Sequence, residues 1–247
     1  MISNHSKLTG IIWLSLVILM AASGSSSAQI PSQRQSMLDA IRASVRDSAE
    51  YTGRSELSDA VMQAMGAVAR EAFVLPQYQH LAYQNTPLPI AAGQTISQPL
   101  IVALMTDLLD PQPNDVILEV GTGSGYQAAV LSHLVKQVYS VEIVPELAAT
   151  AAELLTLQGY TNITVRAGDG YAGWPEYAPF DGIIVTAAAG EIPPPLLQQL
   201  KPGGKLVIPV GAEHGYQELL LVEVGATGDI EKRSMLPVRF VPLTRQH

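Results

Sequence analysis

Three glycines at alternate positions, Gly121, Gly123 and Gly125, separate an apolar run from a helical pattern. Val116 to Val120 is long enough for one buried strand of a parallel sheet. Ala128, Ala129, Val130, Leu131 and Leu134 then recur at helical spacing. Strand, glycine turn and helix form the first unit of a nucleotide-binding fold, in which a ligand approaches backbone that carries no side chain. The spacing narrows the ligand. A dinucleotide fingerprint places glycine first, third and sixth; here Tyr126 holds the sixth position and the third glycine arrives one residue early, so NAD or FAD fits poorly. Glu142 stands 21 residues beyond Gly121, at the end of the apolar run Val138 to Val141. An acid there can accept hydrogen bonds from both hydroxyls of a ribose. Glu142 can also act as a helix-start acid, because Pro145 and Glu146 open the next helix; the glycine turn upstream favours the ribose.

An α/β rhythm positions these residues. Met37, Leu38, Ile41 and Val45 recur at helical spacing, and a second helix fits Leu57 to Val68, closed by the run that ends at Pro76. Residues 81–98 contain two prolines and Gly93 and match neither period; a long irregular run inside a compact domain is usually functional. Pro99 begins a helix, which places Ser97 near its N-cap. Beyond the glycine turn, helix 146–157 leads to strand 162–166, which ends in Gly168-Asp169-Gly170; strand 180–185 runs into Thr186. A short helix over 193–200 precedes strand 205–210. Strands 216–223 and 233–241 have no helix between them and should pair as an antiparallel hairpin. Ligands of such sheets sit outside the carboxyl ends of the strands, where Gly121, Glu142, Asp169 and Thr186 all fall.

Composition sets outer limits. With 47% apolar and 15% charged residues, the 247-residue chain has ample core for one large domain. Its N-terminus reads as an export signal: Lys7, an apolar stretch from Leu8 to Ala22, then small residues at Ser26 and Ala28. Cleavage after Ala28 is expected. Residues 29–36 then form a loose polar segment and 37–247 a single domain: a helical extension over 37–80, an irregular loop over 81–98 and an α/β core over 99–247. Loss of the leader removes Lys7 and no acid, leaving 13 basic against 22 acidic side chains. Such a balance argues against a nucleic-acid partner. There are no cysteines, and the five histidines lie far apart, so neither a thiolate nor a metal site is expected.

Glu-x-Gly-x-Gly-x-Gly at the end of a first strand resembles motif I of the S-adenosylmethionine methyltransferases. With that ligand, Asp169, followed by Gly170, is positioned to accept from an adenine amino group, its alternative being a turn aspartate. Thr122, Ser124 and Tyr126 would offer backbone amides, a hydroxyl and a ring to the methionine part. Further stretches make the resemblance specific: Arg70-Glu71-x-Phe73-Val74, Leu88-Pro89-Ile90, Gly93-Gln94-Thr95-Ile96-Ser97-Gln98-Pro99, Val120 through Gln127, Gly168-Asp169-Gly170, Ala178-Pro179-Phe180-Asp181 and Arg239-Phe240-Val241-Pro242-Leu243. Running in order from about residue 37 to 244, they resemble the protein-L-isoaspartate O-methyltransferases, which methylate the α-carboxyl of isoaspartyl (and D-aspartyl) residues in damaged proteins.

The resemblance implies a Rossmann-like α/β fold: a mostly parallel twisted sheet with helices on both faces, an antiparallel C-terminal hairpin and an N-terminal helical extension. It implies S-adenosylmethionine as methyl donor, isoaspartyl proteins and peptides as substrates, and a monomer. Ser97 is implied as the active-site serine, with Thr95, Ile96 and Gln98 on the substrate side; the alternative for Ser97 is a plain N-cap. Readings that stay open are a methyltransferase for a small carboxylate or amine, and a non-catalytic cofactor- or peptide-binding protein. The leader departs from a family that is generally cytosolic.

Overall fold

The computed structural model describes residues 24–212 and 215–245, with side chains from residue 29 onward. Helix α1 (Gly24–Asp47), a short α2 (Ala49–Thr52) and α3 (Asp59–Ala67) come first, followed by two 3₁₀ turns over Arg70–Phe73 and Pro76–Leu81. Strands β1 (Leu88–Pro89) and β2 (Thr95–Ile96) pair as a small antiparallel hairpin within the irregular run. The remaining elements alternate: α4 (Pro99–Leu109), β3 (Val116–Val120), α5 (Tyr126–Ser132), β4 (Gln137–Glu142), α6 (Pro145–Leu157), β5 (Ile163–Ala167), β6 (Phe180–Val185), α7 (Pro194–Gln198), β7 (Leu200–Gly211), β8 (Gln217–Val224) and β9 (Ile230–Val238).

Strands β3 to β9 make one sheet in the order β5-β4-β3-β6-β7-β8-β9. Pairing is parallel from β5 through β7 and antiparallel at β7–β8 and β8–β9, which bears out the expected C-terminal hairpin. The winding reverses between β3 and β6, so the carboxyl ends of these two strands flank the switch point where α/β sheets bind ligands. Successive β3 residues face opposite layers. Ile117 packs with Val138 and the N-terminal helices, whereas Leu118 and Val120 pack with Phe180 and Ile183 on the other face.

Helix α1 departs from expectation. Residues 29–36, expected to be loose, belong to it and dock on the core. Met37, Ile41 and Val45 are buried, Ile30 packs beside them, and Arg34 donates to the Tyr83 hydroxyl (2.9 Å) and the Gly66 carbonyl (3.0 Å). A polar stretch was read as unordered because its tie to the core is made by one long side chain and not by an apolar stripe. Residues 1–23 of the expected leader lie outside the described residues. Among those described, no helix is long and apolar enough to cross a membrane, and no group of acids and histidines is arranged to hold a metal.

Candidate active site

At Gly121 the chain leaves β3 with φ +100°, its amide donating to the Val141 carbonyl at 2.8 Å. Thr186, at the end of β6, donates its hydroxyl to the Gly121 carbonyl at 2.5 Å and lies where a Cβ on residue 121 would stand. Only glycine satisfies both the dihedral and the space. Glu142, buried at the end of β4, holds the rest of the turn. One carboxylate oxygen accepts from the Gly123 amide at 2.8 Å and the other from the Val144 amide at 3.0 Å. Each oxygen keeps a second lone pair for a ligand hydroxyl.

A cleft opens over this turn. Gly121, Thr122, Gly123, Ser124, Tyr126, Glu142 and Gly170 line it, with Thr186. Thr95, Ile96 and Ser97 line the same cleft, together with Val241 to Thr244. The structure thus brings both predicted sets onto one cavity. Three predicted residues sit beside it. Gly125 is buried under Leu155 at the start of α5. Asp169 caps a 3₁₀ turn, accepting from the Tyr171 amide at 2.9 Å, next to cavity-lining Gly170. Gln98 faces an adjoining groove that also touches Thr95, Ser97, Arg239 and Phe240, and its amide donates to the Asn85 carbonyl at 3.0 Å.

Ser97 lies directly before the N-cap of α4, as expected, but its plain N-cap alternative and the expected role of the Tyr126 ring are corrected. Ser97 is not the N-cap of α4: that position is Gln98, whose side chain makes no capping bond, and the Leu100 amide is capped by Asn85 Oδ1 at 2.9 Å from the loop. Among the described residues the Ser97 hydroxyl has no hydrogen-bond partner, which leaves it free for a ligand. Tyr126 does not offer its ring to the cavity. The ring is buried, edge-on to Phe73 (5.7 Å between centroids), with the Arg70 guanidinium over it. An aromatic residue opening a helix satisfies hydrophobic burial more readily than a polar cleft does.

A buried polar chain under the turn was not foreseen. Thr122 and Ser140 hydroxyls lie 2.6 Å apart, and Ser140 donates to Glu119 Oε2. Burial pushes the Glu119 carboxyl up to about 8, only partly offset by Ser140, and the nearby Glu142 charge raises it further. The signal was available: a glutamate inside the otherwise apolar strand Val-Ile-Leu-Glu-Val. Arg70, the first residue of the Arg70-Glu71-x-Phe73-Val74 motif, is fully buried and donates to the Ser97 carbonyl at 2.8 Å.

The family model for protein-L-isoaspartate(D-aspartate) O-methyltransferase matches residues 49–247. The chain belongs to this family. Protein-L-isoaspartate O-methyltransferase 2 of Syntrophobacter fumaroxidans is 52% identical over 244 residues, covering 98% of this chain and 99% of its own. The enzyme of the same name from Polaromonas sp. strain JS666 is 55% identical over 210 residues, 85% of this chain and all of its own. Among solved structures, a protein-L-isoaspartate O-methyltransferase superposes with TM-score 0.72 at 27% identity, over 85% of this chain and 65% of that one. A Plasmodium falciparum protein described as a β-aspartate methyltransferase, in complex with S-adenosyl-L-homocysteine, gives 0.69 at 26% identity, over 86% and 99%. The protein is therefore an S-adenosylmethionine-dependent carboxyl methyltransferase of isoaspartyl protein. Its residues fit that cofactor. Gly121 and Gly170 line the cleft as bare backbone, a Cβ at either being barred by Thr186 or Val120, and the buried acid Glu142 lines the same cleft.

Proposed function

We propose that Ser97 holds the isoaspartyl α-carboxylate across the cleft from the glycine turn, and that the turn, Glu142 and the Asp169–Gly170 corner hold the methyl donor. The observation that carries this reading is one cavity lined by both Thr95–Ser97 and Gly121–Ser124. S-adenosylmethionine, when bound, supplies an electrophilic methyl on a sulfonium centre. Every other requirement falls on the chain. Glu142 accepts from the ribose hydroxyls while keeping the Gly123 and Val144 amides in place. Asp169 stands beside Gly170 for the adenine amino group. Thr122 and Ser124 bring backbone amides, and Ser124 a hydroxyl, toward the methionine end; Tyr126 supports that end from the core.

On the substrate side, an α-carboxylate is ionised at neutral pH, so no general base is needed. The Ser97 hydroxyl is free to donate to one carboxylate oxygen and so aim the other along the methyl-transfer axis. Thr95 and Ile96 shape the pocket wall, and Val241 to Thr244 help exclude water. Gln98 keeps the loop closed through the Asn85 carbonyl.

The test uses methyl-labelled S-adenosylmethionine and two peptides identical except for aspartate or isoaspartate, with wild type and Ser97→Ala. The expected result is label on the isoaspartyl peptide alone, and in Ser97→Ala a large fall in turnover at nearly unchanged cofactor affinity. Full turnover in the variant overturns the assignment of Ser97, and a parallel loss of cofactor binding moves the serine to the cofactor side.

The N-terminal stretch supports export with cleavage after Ala28. Pro31 then falls in the first turn of a helix beginning at Gln29, where its missing N–H is not used. The Syntrophobacter relative matches 98% of this chain and so includes nearly all of the leader. Cell fractionation with N-terminal sequencing decides it: Gln29 as first residue outside the cytosol is expected, and an intact leader in the cytosol refutes it. The mature chain is proposed to be a monomer, which light scattering checks.

A further inference from the structure

Arg70 lies in the closing 3₁₀ turn of the helical extension and is completely buried. Among the described residues it forms no salt bridge, and its Nη1 has no hydrogen-bond partner. A guanidinium taken out of water without a carboxylate is costly, and an apolar side chain of similar volume would suit stability better. What the guanidinium does touch explains its presence. Nε donates to the Ala82 carbonyl at 2.8 Å and Nη2 to the Ser97 carbonyl at 2.8 Å. Ala82 stands where the irregular run begins and Ser97 where it ends, so one planar fork closes the base of the loop. The same fork lies over the Tyr126 ring, Cζ 4.6 Å from its centroid. Tyr126 is the first residue of α5, directly after the glycine turn. Tyr83, next to Ala82, is held from the opposite side by Arg34 of α1.

We infer that Arg70 is a positioning residue that fixes Ser97 relative to the cofactor turn, by clamping both ends of the 82–97 loop and resting on the first residue of α5. It touches neither substrate nor cofactor. The inference rests on the placement of Ser97 opposite the methyl donor. Arginine is required because its donors are set in a rigid plane that can reach two carbonyls and stack on a ring at once, whereas a lysine ammonium is a single point on a flexible stem. Reaction geometry is sensitive to such a clamp, since a displacement of about 1 Å costs on the order of a hundredfold in rate.

The experiment compares full-length wild type, Arg70→Lys and Ser97→Ala. It records thermal melting, affinity for S-adenosyl-L-homocysteine by calorimetry, and kcat and KM for an isoaspartyl peptide. Arg70→Lys keeps the charge and most of the volume. The expected result is a folded protein with homocysteine-analogue affinity within about twofold of wild type and a fall in kcat on the order of a hundredfold. Hydrogen exchange should rise over residues 83–97 and not over 116–126. Wild-type kcat/KM in Arg70→Lys overturns the inference, as does a loss of cofactor affinity in proportion to the loss of turnover. If Arg70→Lys does not fold, Arg70→Gln replaces it; failure of both makes Arg70 a determinant of the fold alone and also overturns the inference. Ser97→Ala separates this from the reading beneath it. Full turnover in Ser97→Ala sinks the serine assignment, whereas a slow Ser97→Ala beside a fast Arg70→Lys sinks only the clamp.

Discussion

The two sides proposed for the cleft, one for the cofactor and one for the substrate, are built differently. The cofactor wall is backbone, bent by Gly121 and tied on several sides. Val141 accepts from Gly121, Glu142 from Gly123 and Val144, Thr186 bonds the Gly121 carbonyl, and the Glu119–Ser140–Thr122 chain lies beneath. The proposed substrate wall is an irregular loop with a hairpin of two-residue strands, held at its base by Arg70 and tied to α4 by Asn85, which accepts from the Leu100 amide. One wall is short-range and over-determined, and the other depends on a few long side chains. The difference matches the task. A cofactor of fixed shape suits a rigid cradle, while a peptide substrate of variable sequence needs a wall that can accept different neighbours around one fixed serine.

If the contrast holds, damage to the cofactor wall should cost stability and affinity together. The largest effect expected is in the pH dependence set by Glu119. Its carboxyl is held near 8 in the fold against an ordinary value of 4.5. Between those values the folded chain keeps a proton that the unfolded chain has released, so stability falls as pH rises from about 4.5 to about 8, by on the order of 5 kcal/mol, and then levels. Glu119→Gln should flatten that slope in denaturant unfolding measured at several pH values; an unchanged slope would place the titration elsewhere. Next, Gly121→Ala forces a side chain into a positive φ and against the Thr186 hydroxyl, costing about 3 kcal/mol. Thermal melting of Gly121→Ala with and without Thr186→Ala separates the two causes, since only the overlap is relieved in the double variant. Glu142→Ala strips acceptors from two backbone amides, with an expected loss of about 2 kcal/mol and weaker binding of S-adenosyl-L-homocysteine by calorimetry. Unchanged affinity would move the ribose contact away from Glu142.

The smallest effect belongs to the substrate wall. Asn85→Ala removes the cap from α4, worth about 1 kcal/mol, and should raise KM for the isoaspartyl peptide while cofactor affinity stays constant. A larger loss of cofactor binding than of peptide binding would show that the walls are not independent.

Much of the fold was legible along the chain. The strand from Val116 to Val120, the glycine turn and the α5 pattern are local signals: burial sets the period, and a tight turn demands glycine regardless of what lies far away. The same holds for β4, β5 and β6 and for Glu142 and Asp169, which inherit their places from the ends of strands. β9 is described over Ile230–Val238, against an expected 233–241, because charged Glu231, Lys232 and Arg233 mask an edge strand that needs only one buried face. Residues 29–36 were misjudged because Arg34 docks through a hydroxyl and a carbonyl nearly 50 and 32 positions away, and no local pattern records such a partner.

By itself, then, the sequence determined the α/β alternation, the nucleotide-type turn and the family, since periodicity and glycine chemistry act between near neighbours. Tertiary structure decided which way side chains serve the site. It turned the Tyr126 ring into the core, gave the α4 cap to Asn85 instead of Ser97, left the Ser97 hydroxyl free and set Arg70 beneath it. The physical reason is range. Hydrogen bonds to loop carbonyls and the burial of single polar groups are settled by residues brought together only when the sheet and helices have closed on one another.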